Sequence, residues 1–277
     1  MSDQANLADA VGVAVDVAAW LDGSLAKNIM VPDFPGWEKA LPLRVENQLR
    51  VLAQPCVDAL EAGSRAMGDR LAAIGIVATR FLAETQVRMA WLMQPEDDTG
   101  RQRRAFEALH GEMAQQKELL TSIADHETDP TKKVADHQQQ IMLGATTAKL
   151  LELAESMGFA NLGQLPPQER LFNDFHPSGY DIFRMTSNFG GHPALCFAPM
   201  IARWTDGVVE TFDPTGTELV RAYFVRQMIE ESFGIVRHLA GAHGWEQTLS
   251  ELAEQERRFA SLRERISARW HWQIWGG

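Results

Sequence analysis

Cysteine is scarce in this chain. Cys56 and Cys196 are the two cysteines among 277 residues, and they lie far apart with no ligand-type spacing. A disulfide framework and a cysteine metal site are thereby excluded, and a reduced, cytoplasmic setting is expected. Long apolar runs are lacking too. No stretch approaches the roughly 18 residues that a membrane span needs. The most apolar early segment, Val11 to Leu21, is broken by Asp16 and has no basic leader, so it does not read as a signal peptide. Positive charge is short: 26 Lys and Arg stand against 37 Asp and Glu, for a net charge of −11. An acidic chain repels phosphate backbones unless its bases cluster. The basic groups Arg101-Gln-Arg-Arg104 and Arg257-Arg258 are each offset by nearby acids, so nucleic acid is not expected as a partner. A Gly-rich phosphate loop and a Gly-x-Ser-x-Gly elbow are both missing, and no cofactor is expected.

What the chain has is helical periodicity. Ala, Leu, Glu, Gln and Arg dominate, and Val and Ile do not alternate with polar residues over a strand's length. Helices are expected over about Ala5–Lys27, Val45–Met67 with Pro55 as a kink, Asp69–Met93, Arg101–Ala124 and Pro130–Gly158. A short helix is expected after His176-Pro-Ser-Gly179 and another from His192-Pro193 to about Thr205. Long helices over Thr217–Ala240 and Trp245–Arg269 close the pattern. The stretch 206–216 is expected to be irregular, with room for a short strand pair. The predicted fold is all-α: a single domain over residues 1–277 of long antiparallel helices, with 1–40 as a separable helical extension.

Two polar faces invite a functional reading. On the third helix Arg80, Glu84 and Arg88 recur at i, i+4 and i+8 on one stripe. That helix is otherwise apolar almost all round, which predicts burial, and buried charges need partners. On the helix containing YDIFRMTSNFGG, Tyr180, Arg184, Ser187 and Asn188 share a face. Gly190-Gly191 is expected to end that helix, and His192 to open the next, where a helix N-terminus favours neutral imidazole. Tyr180, Ser187 and His192 are candidate proton-transfer groups. Arg80, Glu84, Arg88, Tyr180, Arg184, Ser187 and His192 together are candidate binding residues for a small anion, because paired arginines suit a phosphate or carboxylate.

Competing patterns are less complete. Arg237-His-Leu-Ala-Gly-Ala-His243 resembles the Arg-then-His signature of helical ribonuclease toxins, as does Arg104-Ala-Phe-Glu-Ala-Leu-His110. Gly241 is expected to stop the helix between Arg237 and His243 and spoil the pair. Glu107-Ala-Leu-His110 has no second copy, so a di-iron bundle and other metal sites are not expected. Trp270, Trp272 and Trp275 crowd the C-terminal segment, costly to expose, and are candidates for a homo-oligomer contact or for docking onto the chain's own core.

Arg80-Phe-Leu-Ala-Glu84 with Met89-Ala-Trp91-Leu, followed by Leu165-Pro-Pro and Tyr180…Ser187…His192, resembles a bacterial family of uncharacterised all-helical proteins over roughly residues 73–193. The resemblance implies the helical fold, the same candidate residues and a role in defence or stress response, and it supplies no reaction. Three functions are therefore carried forward: a binding or regulatory protein with a polar pocket; a metal-independent nuclease or hydrolase using His192 or the Arg237/His243 pair; and a structural or assembly protein.

Overall fold

The computed structural model describes residues 3–28, 44–191, 203–205, 208–210 and 214–275. The fold is all-α. Among the described residues it comprises α1 (Asp3–Asn28), α2 (Val45–Gly68), α3 (Ala72–Met93), α4 (Asp98–His126), α5 (Pro130–Ser156), α6 (Gln168–Phe175), α7 (Pro177–Gly191), α8 (Pro214–His243) and α9 (Glu246–Trp275). No described helix is long and apolar enough to cross a membrane. The chain divides into two compact units. One comprises Met1–Asp33, Leu49–Trp91 and Gln168–Gly277; the other comprises Phe34–Gln48 and Leu92–Pro167.

In the first unit α8 packs along α1 and α9. The buried positions of α1 include Leu7, Ala10, Ala14, Val17, Leu21 and Leu25, steps of three and four that make one apolar seam. α8 answers with Phe224, Val225, Met228, Ile229, Ile235 and Leu239. Burying each large side chain is worth about 1.5–3 kcal/mol, ample to hold a helix whose Gly234 and Gly241 weaken it by about 1 kcal/mol each.

The second unit is built on the α4–α5 hairpin. Its core joins Phe106, Leu150, Ala154 and Phe159, and the Phe106 and Phe159 rings lie 5.6 Å apart. Both helices have side-chain caps. Asp97 accepts from Gly100 N at 2.7 Å, and Asp129 accepts from Thr131 N at 2.9 Å ahead of Pro130.

Several expected boundaries shift. Residues 203–205 are a strand, not the end of a helix: Arg203–Thr205 pairs antiparallel with Val208–Glu210, Trp204 facing Val209. Aromatic and β-branched residues favour that pairing. α8 runs through Gly241 to His243 because its neighbours Leu239 and Ala240 are buried. The turn comes instead at Gly244, whose φ is +64°. α9 continues past Arg269 through Trp275. α7 is helical through both Gly190 and Gly191. α3 is not buried all round: Ile74, Val77 and Phe81 are 52%, 68% and 37% exposed, an apolar strip at i, i+3 and i+7.

Candidate functional site

The α3 stripe expected from the sequence meets α7 at the surface, where Arg80 lies against Phe183. Arg80 Nε donates to Glu84 Oε1 at 2.7 Å, with side chains 41% and 28% exposed. The Arg80 guanidinium also lies over the Phe183 ring, 5.0 Å from its centre. Phe183 stacks between Phe172 and Tyr180, at 4.9 and 6.2 Å, and Arg184 sits 5.9 Å over Tyr180. Tyr180 Oη donates to Glu169 Oε1 at 2.6 Å, which raises the phenol's pKa. These residues therefore form an aromatic ladder tying α3, α6 and α7 together. Arg88, on the same stripe, is half-buried. Ser187 is on α7, but its side chain lies outside the described residues, as do His192 and the side chains of Trp270, Trp272 and Trp275.

Arg237 and His243, the alternative nuclease pair, make different contacts. Six residues along a continuous helix turn about 240° around its axis. Arg237 pairs with Glu256 of α9, whereas His243 stacks on Trp245 at 4.9 Å. The continuity of α8 through Gly241, not a stop there, is what parts the two.

A different constellation is assembled one turn before the aromatic ladder. α6 ends at Phe175, and His176 precedes Pro177, whose missing N–H suits the first position of α7. His176 Nε2 lies 2.8 Å from Oε1 of Glu231 on α8. Glu231 is 1% exposed, and its second oxygen, Oε2, is buried with no hydrogen-bond partner among the described residues. Burial raises the Glu231 pKa against the pull of His176, while the bond to Glu231 raises that of His176. Both groups are therefore shifted toward their protonated forms.

This pair borders a cavity of about 300 Å³ lined also by Gln86, Ser178, Tyr223 and Arg226. Gln86 reaches in from α3, and its Oε1 is likewise buried without a partner among the described residues. Two glycines make room. A Cβ on Gly234 would come within 2.4 Å of the Gln86 side chain, and one on Gly179 within 2.2 Å of the His176 ring. Arg226 is not a free cation: it forks onto Glu230 at 2.9 and 3.2 Å and lies 5.6 Å over the Tyr223 ring. The cavity wall thus includes two residues with a buried acceptor unanswered among the described residues, and an arginine already neutralised. His176 also borders a second hollow of about 540 Å³, which includes Arg237, Glu256 and Arg263.

Other candidates fall away. Burial pushes the Cys56 thiol up to about 12 and so suppresses its reactivity. Burial, with Arg237 beside it, lowers His238 to about 4. Among the described residues no group of three or more His, Cys, Asp and Glu side chains is placed to hold a metal ion.

His176 and Glu231 escape a reading based on polar motifs, yet the sequence carries a signal for one of them. Phe224, Met228, Glu231 and Ile235 follow a single helical stripe, so the acid falls on the apolar side of α8.

No protein-family model, no curated protein and no solved structure matches the chain significantly. The functional reading therefore rests on the cavity's own chemistry.

Proposed function

We propose that the protein binds a small molecule bearing N–H or O–H donors, such as an amine, amide or polyol, in the Gln86–His176–Glu231 cavity. The observation that carries this is that two residues lining one cavity, Gln86 and Glu231, each hold a buried acceptor, Oε1 and Oε2, with no hydrogen-bond partner among the described residues. Leaving a buried polar atom unanswered costs about 1–3 kcal/mol, more when it is charged, so a donor that fills both vacancies gains that energy on binding. The anionic ligand expected from Arg80, Arg88 and Arg184 is less well served here. None of those three lines the cavity, and Arg226 spends its charge on Glu230.

A thermal-shift screen tests the reading, with small amines, carboxamides and polyols set against small carboxylates and phosphates. The expected result is stabilisation by members of the first group, lost in Glu231→Gln. Ligand at a hundredfold excess over Kd adds about 2.7 kcal/mol, a shift of several degrees. Stabilisation by anions alone, or equal shifts in wild type and variant, counts against the cavity.

A further inference from the structure

Ser178, His176 and Glu231 form a continuous hydrogen-bonded chain along the cavity wall. Ser178 Oγ lies 3.4 Å from His176 Nδ1, His176 Nε2 lies 2.8 Å from Glu231 Oε1, and all three side chains line the same cavity. From this geometry we propose that Ser178 is an acyl-accepting nucleophile, with His176 as its base, that hydrolyses a small carboxylic ester of a polyol or amino alcohol, whose N–H or O–H groups hold it in the cavity. The proposal rests on the cavity being a binding site.

The chemistry follows from burial. A carboxylate as enclosed as Glu231 is stabilised by a donor, and His176 Nε2–H supplies one. That fixes the Nε2–H tautomer and leaves the Nδ1 lone pair facing the Ser178 hydroxyl. The two ring nitrogens are used in the reverse of the common serine-hydrolase order, but the imidazole accepts a proton through either. The 3.4 Å separation is loose, as unliganded nucleophile–base pairs often are. Gly179 keeps the ring in place, since any side chain there would strike it. Ser178 is the second residue of the 15-residue α7, where the positive helix end favours the developing oxyanion.

The step balances as ester plus water giving acid plus alcohol. Ser178 Oγ bonds to the carbonyl carbon as its proton moves to His176 Nδ1. The C–O bond to the alcohol breaks, and the alcohol leaves with that proton. Water then attacks the acyl-serine and gives its proton to Nδ1. The Ser178–acyl bond breaks, the acid departs, and the proton returns to Ser178.

A small fluorophosphonate tests this on the full chain. Oγ displaces fluoride from phosphorus and the proton passes to Nδ1, so intact mass reports the adduct and peptide mapping locates it. The expected result is a single adduct on Ser178, absent in Ser178→Ala and unchanged in Arg80→Ala. His176→Gln keeps a donor for Glu231 and so protects the fold; labelling there should slow about 100-fold or more, the scale of a lost general base. The rate should climb with pH as His176 loses its proton, above the ordinary 6.5 because Glu231 holds that proton. The charged groups setting that limb are Glu231, Glu230 and Arg226 on one side of the ring, and Arg237 of α8 with Glu256, Arg257 and Arg263 of α9 around the second hollow. No adduct, or an adduct elsewhere, overturns Ser178 as nucleophile. A Ser178 adduct formed at the same rate in His176→Gln, or flat with pH, overturns His176 as base. Donor ligands that stabilise a protein resistant to labelling would leave the cavity reading standing and remove the hydrolase; labelling of Ser178 without any effect of donor ligands would remove the cavity reading and the ester class with it, leaving the nucleophile alone.

Discussion

Removing His176 should produce a loss of stability that grows with pH. In His176→Ala the Glu231 carboxyl, 1% exposed, loses its 2.8 Å hydrogen bond while remaining enclosed. It can ionise without a partner or take up a proton. The second route is cheaper, and its cost is set by the gap between the solution pH and the carboxyl's ordinary value of 4.5. At about 1.4 kcal/mol per pH unit, protonation costs about 3 kcal/mol at pH 7 and under about 1 kcal/mol at pH 5. The lost hydrogen bond adds about 1 kcal/mol. The wild-type carboxyl already bears part of the protonation cost, since burial raises its pKa despite His176. The net destabilisation is therefore about 2–4 kcal/mol at pH 7 and about 1 kcal/mol at pH 5, within the range for breaking a buried pair.

The direction follows from proton linkage. A group whose pKa is higher in the folded state contributes stability that is complete below its unfolded pKa and is lost as pH rises through the folded one. Glu231 and His176 are both shifted upward. Their joint contribution in the wild type therefore declines from about pH 4.5 to beyond 6.5, and His176→Ala steepens the Glu231 part. Urea unfolding followed by circular dichroism at pH 5, 6, 7 and 8 measures this. A destabilisation that is flat across the series, or below about 0.5 kcal/mol at pH 7, would refute the buried-pair reasoning.

Glu231→Gln removes the buried charge but keeps an acceptor for His176 Nε2–H, so stability at pH 7 should stay within about 1 kcal/mol of wild type or rise, with a flatter pH dependence in the same urea series. Gly234→Ala puts a Cβ 2.4 Å from the Gln86 side chain; it should cost about 1–3 kcal/mol by overpacking and weaken the stabilisation by donor ligands in a thermal shift. Arg80→Ala breaks a half-exposed i,i+4 pair and should cost no more than about 1 kcal/mol in urea unfolding. Phe106→Ala empties the centre of the α4–α5 core and should cost about 3–5 kcal/mol, measured the same way.

The helical class was legible where apolar residues recur at spacings of three and four. The seam Leu7-Ala10-Ala14-Val17-Leu21 of α1 is an example. Errors arose where one residue type was read in isolation. Gly241 suggests a stop, yet flanking burial carries α8 past it. The apolar circumference of α3 suggests complete burial, yet Ile74 and Val77 face outward. The site was harder to read. The polar residues prominent in the sequence, Arg80, Glu84, Tyr180 and Arg184, answer one another and the neighbouring rings at the surface. Those with one oxygen left unanswered among the described residues, Gln86 and Glu231, are single polar residues within apolar stripes. Their convergence depends on the space made by Gly234 and on the placing of His176 at the α6–α7 junction, contacts spanning 55 residues between His176 and Glu231. Periodicity within one helix carries no information about such a meeting.

The most direct test of the central claim is native mass spectrometry of the purified protein beside Glu231→Gln. The cavity account predicts a small-molecule adduct retained on the wild type, of a composition bearing N–H or O–H donors, and lost from the variant. An adduct held equally by both proteins, or an adduct that is a simple anion, would contradict it.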